Sequence, residues 1–303
     1  MSTTEPPSAV LELAEQRAAA RAAKDFAASD RLRDAIAELG WTVRDGADGW
    51  TLAERPPYAV LPSVRDLPDN SAEPDVDGST VALLVDGWPD DLRTCVEALL
   101  AHTGDDVRVL LLENGPTDAG SVVHELASPR VEEIHLERPA GWAEARQALI
   151  RYDRAAVHVV MDVSTVLEGD ALGPLRAALT EPGVAAAGWR GVNVADGWTE
   201  FVDAGPGEVE ALLSYLLAVR RQAALAVPLP AKARFYRNAD MEWSYLLRDA
   251  GVGRLLAVDV PVRQDRHRGY HDTDPDVRDR ESRKTYDRFL QRFRGREDLR
   301  LKT

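Results

Sequence analysis

From Thr80 to Gly188, short apolar runs alternate with amphipathic stretches, and this alternation limits the possible folds more than any other feature. Thr80–Val85, Val107–Leu112, Val131–Leu136, Val157–Met161 and Val184–Gly188 read as strands. Between them Asp90–His102, Ser121–Ala127, Trp142–Arg151 and Asp170–Thr180 read as helices, with Leu92, Val96, Leu99 and Leu100 on one face of the first. Strands that are apolar at nearly every position must be covered on both faces, as in a parallel sheet. The alternation therefore predicts an α/β fold with a doubly wound, mostly parallel sheet. No Gly-x-Gly-x-x-Gly follows the first strand and there is no phosphate-binding P-loop, so dinucleotide binding has little support.

In such sheets ligands are met at the carboxyl ends of the strands. Val157–Thr165 is the run that ends most abruptly, in Asp162, one spacer and Ser164. Asp162 is thus placed to meet a cofactor, metal or nucleotide, or else caps the turn that follows. Asp86, at the end of the first strand, has the same two readings: a pocket residue or an ordinary turn residue.

Past Gly188 the pattern is less regular. Glu208–Leu225 is helical by periodicity. Asn238 is placed to cap a helix running to Ala250 and ended by Gly251. Asp240 and Glu242 fall in its first turn, where acids favour the helix dipole. Arg254–Val258 reads as a strand, Arg263–Asp276 as a polar, mobile loop, and Asp276–Phe293 as a closing helix.

Before Thr80 the composition changes. Residues 1–8 are expected to fray, and Val10–Leu39 is helical, with Gly40 as its C-terminal cap. Trp41–Val43 and Trp50–Leu52, on either side of Asp45–Gly49, form a β-hairpin. Five prolines in 54–78 read as a linker. The expected organisation is a helical and β-hairpin module over 1–53, a Pro-rich linker over 54–78 and a large domain over 79–303.

The net charge of −14 argues against bulk nucleic-acid binding by the whole chain, although 278–303 carry ten Lys/Arg against five Asp/Glu. The single cysteine, Cys95, sits in a helical pattern without metal-ligand neighbours. No secretory signal opens the chain and no run approaches a membrane span, so a soluble, cytoplasmic protein is expected.

Several blocks in order carry a resemblance. They are Val81–Val85 followed by Leu92–Leu100, Val109-Leu-Leu-Leu-Glu-Asn-Gly-Pro-Thr-Asp118, Gly141-Trp-Ala-Glu-Ala-Arg-Gln147, Met161-Asp-Val-Ser164, Leu217–Arg221, and Ala239-Asp-Met-Glu-Trp-Ser-Tyr-Leu-Leu-Arg-Asp-Ala-Gly251. Together these resemble the family-two glycosyltransferases, which have the GT-A fold. The resemblance implies an inverting transfer from a nucleotide-diphosphate sugar to an acceptor hydroxyl, with neither sugar nor acceptor specified. It puts Asp162 at the first position of the family's Asp-x-Asp motif, with Ser164 replacing the second aspartate. It implies donor binding by Asp86, Arg146, Asp162 and Ser164, with Glu113 reading the nucleobase. It implies a divalent metal, Mn or Mg, held by Asp162 with His267, because hard cations take oxygen ligands and neutralise a leaving diphosphate. Arg263, Arg266 and Arg268 are further candidates to neutralise phosphate. The general base by resemblance is Asp240, with Glu242 next. The altered Asp-Val-Ser motif leaves open a non-catalytic nucleotide-sugar-binding or scaffold protein.

At the amino end, Arg21–Phe26, Asp30–Arg33, Glu38–Gly40 and the hairpin near Trp50 resemble the C-terminal module of cysteinyl-tRNA synthetases. That resemblance implies packing, dimerisation into a homo-oligomer, or association with RNA.

Overall fold

The computed structural model describes residues 5–46 and 49–301. The expectations for residues 1–4 and for the hairpin tip at 47–48 lie outside the described residues. The chain folds as two units, Met1–Ala59 and Val60–Thr303.

The first unit contains helices α1 (Ser8–Ala22) and α2 (Phe26–Glu38) and strands β1 (Trp41–Gly46) and β2 (Gly49–Glu54). The helical run breaks at Lys24, whose φ of 59° is left-handed, and restarts where Asp25 accepts a hydrogen bond from the Ala28 N–H. Val10, Ala14, Ile36, Trp41 and Val43 form a small core. Arg17 clamps Asp45 through two bonds of 2.9 and 2.8 Å.

The second unit begins with β3 (Val60–Leu61) and β4 (Val76–Val85), then α3 (Pro89–Ala101), β5 (Val107–Glu113), α4 (Gly120–Leu126) and β6 (Val131–Leu136). It continues through α5 (Trp142–Tyr152), β7 (Ala155–Met161), β8 (Thr165–Leu167), α6 (Leu172–Thr180) and β9 (Val184–Gly188). Five strands follow: β10 (Gly191–Val194), β11 (Phe201–Ala204), β12 (Gly207–Glu208), β13 (Ala211–Leu212) and β14 (Leu216–Arg220). Next come α7 (Arg221–Ala226), α8 (Ala239–Asp249), β15 (Arg254–Ala257), β16 (Val262–Gln264), α9 (Arg268–His271) and α10 (Pro275–Phe293). The central sheet has the order β12-β15-β9-β14-β7-β4-β5-β6-β3.

The apolar runs are continuous because each strand feeds two cores. Ala82 and Leu84 of β4 join one cluster, with residues of α5, α7, α8 and α10. Val81, Leu83 and Val85 join the other, with residues of α3, α4 and α6. Successive side chains of a strand point to opposite faces, so a sheet covered on both sides has no polar position to spare.

The structure differs from expectation in three segments. Glu208–Leu225 is not the one helix that periodicity suggests but partly strand, as the resemblance of Leu217–Arg221 to a family strand implied: β14 runs antiparallel between β7 and β9, pairing Leu216 with Met161 and Leu217 with Gly188. A short apolar run has no periodicity that separates a buried strand from a buried helix. Arg263–Asp276 is not an irregular loop but contains β16, which pairs with β8, and α9. The Pro-rich stretch 54–78 contributes β3, which pairs with β6. Arg221 fastens its later part by donating to Asn70 O, Glu73 O and Asp75, and it also donates to Asp153 O.

β14 matters most for the site. Because it runs against β7, Tyr215 at its amino end stands beside the carboxyl end of β7. The β13–β14 turn is thereby brought to the strand end that carries Asp162.

Candidate active site at the carboxyl end of the sheet

Asp162 directly follows the last residue of β7. Its N–H donates to Tyr215 O at 3.1 Å, and Thr165 Oγ1 donates to the same carbonyl at 2.9 Å. Asp162 Oδ1 accepts from the Ser164 N–H at 2.9 Å and from the Ser164 hydroxyl. Asp162 Oδ2 forms an ion pair with His267 Nε2 at 3.2 Å. One oxygen thus closes the turn, as the capping reading expected, while the other is turned to His267. Ser164 does not stand free as a ligand: it braces Asp162.

His267 Nδ1 accepts from the Tyr270 N–H at 3.0 Å, which places the proton of the neutral ring on Nε2, towards Asp162. Tyr236 stacks on the ring at 4.5 Å and Tyr215 meets it edge-on at 5.6 Å. Burial pulls the His267 pKa down, but the Asp162 carboxylate outweighs it and the pKa is raised. Burial likewise pushes Asp162 up, and His267 together with the Ser164 bonds brings it below its ordinary value. Arg268 Nε donates to Asp91 of α3 at 2.8 Å, which ties the His267 segment to the opening helix.

Asp240 lies in the first turn of α8 and is buried, at 5% exposure. Its Oδ2 accepts from the Ser214 N–H at 2.9 Å and the Ser214 hydroxyl at 3.1 Å, and its Oδ1 accepts from the Met241 N–H at 2.9 Å. Burial pushes its carboxyl above the ordinary carboxylate value in spite of these donors. Ser214 precedes Tyr215, so Asp240 and Asp162 are anchored to successive residues of one turn. Asn238 does occupy the cap of α8, but in a left-handed conformation with φ of 66°, and its amide donates to Ser282 O rather than to the helix.

The remaining expected residues divide. Asp86 Oδ1 accepts from Asn114 Nδ2 at 2.9 Å, and Asn114 also bonds both ways to the Ala140 backbone, joining the turns after β4, β5 and β6. Arg146 is buried below this edge and donates to Ala82 O at 2.6 Å and Met161 O at 2.9 Å. Burial lowers its pKa to about 10. Its two Nη groups tie β4 to the end of β7, while its buried Nε has no hydrogen-bond partner. Glu113 is turned inward: Oε1 accepts from the Thr117 N–H and hydroxyl at 2.8 and 2.9 Å, and Oε2 meets His135 Nδ1 at 2.7 Å. Glu242 lies two residues beyond Asp240, about 200° round the helix by the ordinary helical repeat. There it is buried against Arg288 of α10, at 2.7 and 3.0 Å from Nε. Glu242, the second candidate for the base, thus faces Arg288 rather than Ser214, the partner of Asp240. Arg263 pairs with Glu168 and Asp265, Arg266 with Asp272, and Arg268 with Asp91 and Asp272.

Sequence reasoning missed the residues that enclose the site. A cavity of about 410 Å³ beside His267 is lined by Tyr215, Tyr236, Arg237, Gln264 and Tyr270 among others. They come from three separate segments, and no local spacing joins them. Of the lining residues, Arg266 and His267 alone were singled out from the sequence.

Among the described residues no three His, Cys, Asp or Glu side chains converge on one point suited to a metal. Asp162 Oδ2 is an oxygen donor suited to a hard cation that takes its other ligands from a bound diphosphate, and His267 would add a nitrogen only by exchanging its Nε2 proton for the cation. Among the described residues no helix is long and apolar enough to cross a membrane.

A twisted α/β sheet, with an aspartate at one strand end and a carboxylate-bearing helix beside it, places this chain in the GT-A class. Two solved structures share the fold. One is the mannosyltransferase PcManGT from Pyrobaculum calidifontis in complex with GDP-Man and Mn2+, with a TM-score of 0.52, 18% identity, and coverage of 72% of this chain and 63% of that one. The other is GalNAc-T7 with UDP, GalNAc and Mn2+, with a TM-score of 0.56, 14% identity, and coverage of 71% and 47%. The chain belongs to glycosyl transferase family 2, whose model matches residues 87–238, just over half of it.

The amino-terminal unit has a different kinship. Residues 3–51 match the cysteinyl-tRNA ligase anticodon binding domain. This stretch is similar to cysteine–tRNA ligases from Opitutus terrae, 52% identical over 48 residues, and from Micrococcus luteus, 60% identical over 42. These matches cover 16% and 13% of this chain and 10% and 9% of those enzymes, so the chain spans about a tenth of the length of the curated relatives it matches.

Proposed function

We propose that this protein transfers a glycosyl group from a nucleotide-diphosphate sugar to an acceptor hydroxyl, with inversion, and that Asp240 is the general base. The observation that carries this reading is the pairing of two unlike acids at one turn. Asp162 is held below its ordinary pKa beside His267, and Asp240 is held above its own by burial. Carboxylates pushed apart in this way are suited to different tasks: one to stay ionised, the other to accept a proton. The acceptor oxygen attacks the anomeric carbon as its proton passes to Asp240. The bond from that carbon to the diphosphate breaks, and its electron pair leaves with the diphosphate.

Asp162 would hold a divalent cation together with the donor's phosphate oxygens, joined by His267 once its Nε2 proton is displaced, and the cation would supply charge neutralisation to the leaving group. Arg146 and Asn114 fix the strand ends on which this depends. Support for a nucleotide-sugar donor comes from the family match and from neighbours whose complexes contain GDP-Man or UDP.

The test is a pair of substitutions. Asp240→Asn should reduce transfer by about 10²- to 10⁴-fold, the usual worth of a general base, while donor binding persists. Asp162→Ala should weaken donor binding. Transfer that survives in Asp240→Asn removes the catalytic reading. Donor binding without transfer in the unmodified protein would instead favour a nucleotide-sugar-binding protein, a reading supported by Asp-Val-Ser standing in place of Asp-x-Asp.

The domain assignment belongs to this proposal. The amino-terminal module serves packing or dimerisation more readily than RNA binding. Residues 5–59 carry ten acidic against seven basic side chains, and that balance does not favour a phosphate backbone.

A further inference from the structure

Arg237 lines the cavity beside His267, and Arg190 reaches Gln264, another of its lining residues; the mechanism above uses neither. Arg237 follows Tyr236 just before α8, and Arg190 lies two residues past β9; both are exposed. The contacts that hold them are neutral. Arg237 Nη1 donates to the Tyr270 hydroxyl at 2.7 Å, and its guanidinium lies 4.9 Å over that ring. Arg190 lies 5.1 Å over the Trp189 ring and reaches Gln264 Oε1 at 3.4 Å. In a chain with 51 acidic side chains, carboxylate partners are plentiful. Arg263, Arg266 and Arg268, on the neighbouring segment, all have them. Arg237 and Arg190 are instead positioned by aromatic and amide groups, with their charge unspent among the described residues.

A guanidinium fixed in this way is prepared for a planar or tetrahedral anion, because its donors form a rigid fork and little freedom remains to be lost. The donor's diphosphate has its own place at Asp162 and His267. The cavity of about 410 Å³ is walled by His267 itself with Tyr215 and Tyr236, and extends from there to Arg237 and Tyr270. Arg237 is also close in the chain to Asp240, whose Ser214 partner adjoins Tyr215. We infer that this cavity is the acceptor subsite, and that Arg237 with Arg190 recognises a carboxylate or phosphate borne by the acceptor. The name acceptor rests on the transferase reading; the anion seat does not.

The experiment titrates glucose, glucuronate and glucose 6-phosphate into protein saturated with a nucleoside diphosphate and Mn2+, so that the diphosphate position is filled, and reads heat. At least one anionic sugar should bind about ten-fold or more tightly than glucose, the order of gain a charge-assisted fork supplies. Arg237→Gln and Arg190→Gln should each erase much of that preference, with an unchanged melting temperature to show that the fold is intact. Preference for glucuronate alone identifies a carboxylate, and for glucose 6-phosphate alone a phosphate. Equal binding of all three sugars, or a preference that survives both substitutions, overturns the inference. So does a preference seen only before the nucleoside diphosphate is added, since the arginines would then serve the donor. If no nucleoside diphosphate binds, the transferase reading fails, while the same comparison on unloaded protein still decides whether the anion seat exists.

Discussion

At the residue scale, the site depends on how near neighbours in sequence are turned apart. Asp240 and Glu242 are two residues apart and both buried, yet one faces Ser214 and the other Arg288. Glu242→Gln should therefore act on stability rather than on chemistry. Removing one partner of a buried pair costs roughly 3–5 kcal/mol. Arg288 is partly exposed, so about 1–3 kcal/mol is expected, read as a lower denaturant midpoint with kcat per folded molecule retained. Loss of kcat without loss of stability would return Glu242 to the chemistry. Asp240 also sets a pH dependence. Its raised pKa means that the deprotonated, active form is lost on acidification at a higher pH than for a free aspartate, near 3.9. The acid limb of kcat should fall clearly above that value, and a limb at or below it would count against Asp240 as base.

At the scale of elements, ionic contacts fix strand ends that hydrophobic burial alone leaves free to slide. His135 of β6 meets Glu113 of β5 at 2.7 Å through Nδ1 and Glu133 at 2.9 Å through Nε2. A ring with a carboxylate at each nitrogen is best satisfied when doubly protonated. Burial opposes that form, but the two carboxylates prevail and raise the His135 pKa, and Glu113 is lowered in turn, against its own burial. A raised histidine gives stability that is complete below its unfolded pKa, near 6.5, and is lost as pH rises through the folded value. A lowered glutamate gives stability that is lost on the acid side. Stability should thus decline from pH 6.5 upward, and His135→Gln should flatten that decline in denaturant titrations. An unchanged slope in the variant would assign the decline elsewhere. Arg221 acts similarly on the segment before β4. Arg221→Met strands the buried Asp153 O, at about 1–3 kcal/mol, and removes the part-buried bonds to Asn70 O, Glu73 O and Asp75. Proteolysis within 60–75 should accelerate in that variant, and an unaltered cleavage pattern would show that β3 pairing alone holds the segment.

At the scale of the whole molecule, the two units have separate cores: a small one around Ile36 and Trp41, and two large ones on either face of the main sheet. Deleting residues 1–59 should leave the main unfolding transition and donor binding within experimental error. A large drop in melting temperature would mean that the first unit supports the second. The isolated unit 1–59 should be marginal, since a chain of that size buries too little surface to be robust alone.

Much of the fold was legible in the sequence because it depends on short-range patterns. Apolar runs buried on both faces gave the order of strands and helices, and Val131–Leu136 and Val184–Gly188 agree with the structure residue for residue. The position of Asp162 at a strand end and of Asp240 in a helix's first turn follow from the same patterns. Other features depend on contacts between distant segments. β14 inserts antiparallel between β7 and β9, and only this brings Ser214 and Tyr215 to Asp240 and Asp162. Glu113 and Glu242 are turned to His135 and Arg288 by partners that lie 22 and 46 residues away. The Tyr–Arg cavity likewise draws its walls from three segments. The sequence by itself determined which residues are apolar in what period, and hence the layers and the strand ends. Which polar side chains share one space was decided only by tertiary structure, because a hydrogen-bond partner is chosen by proximity in the fold and leaves no period along the chain.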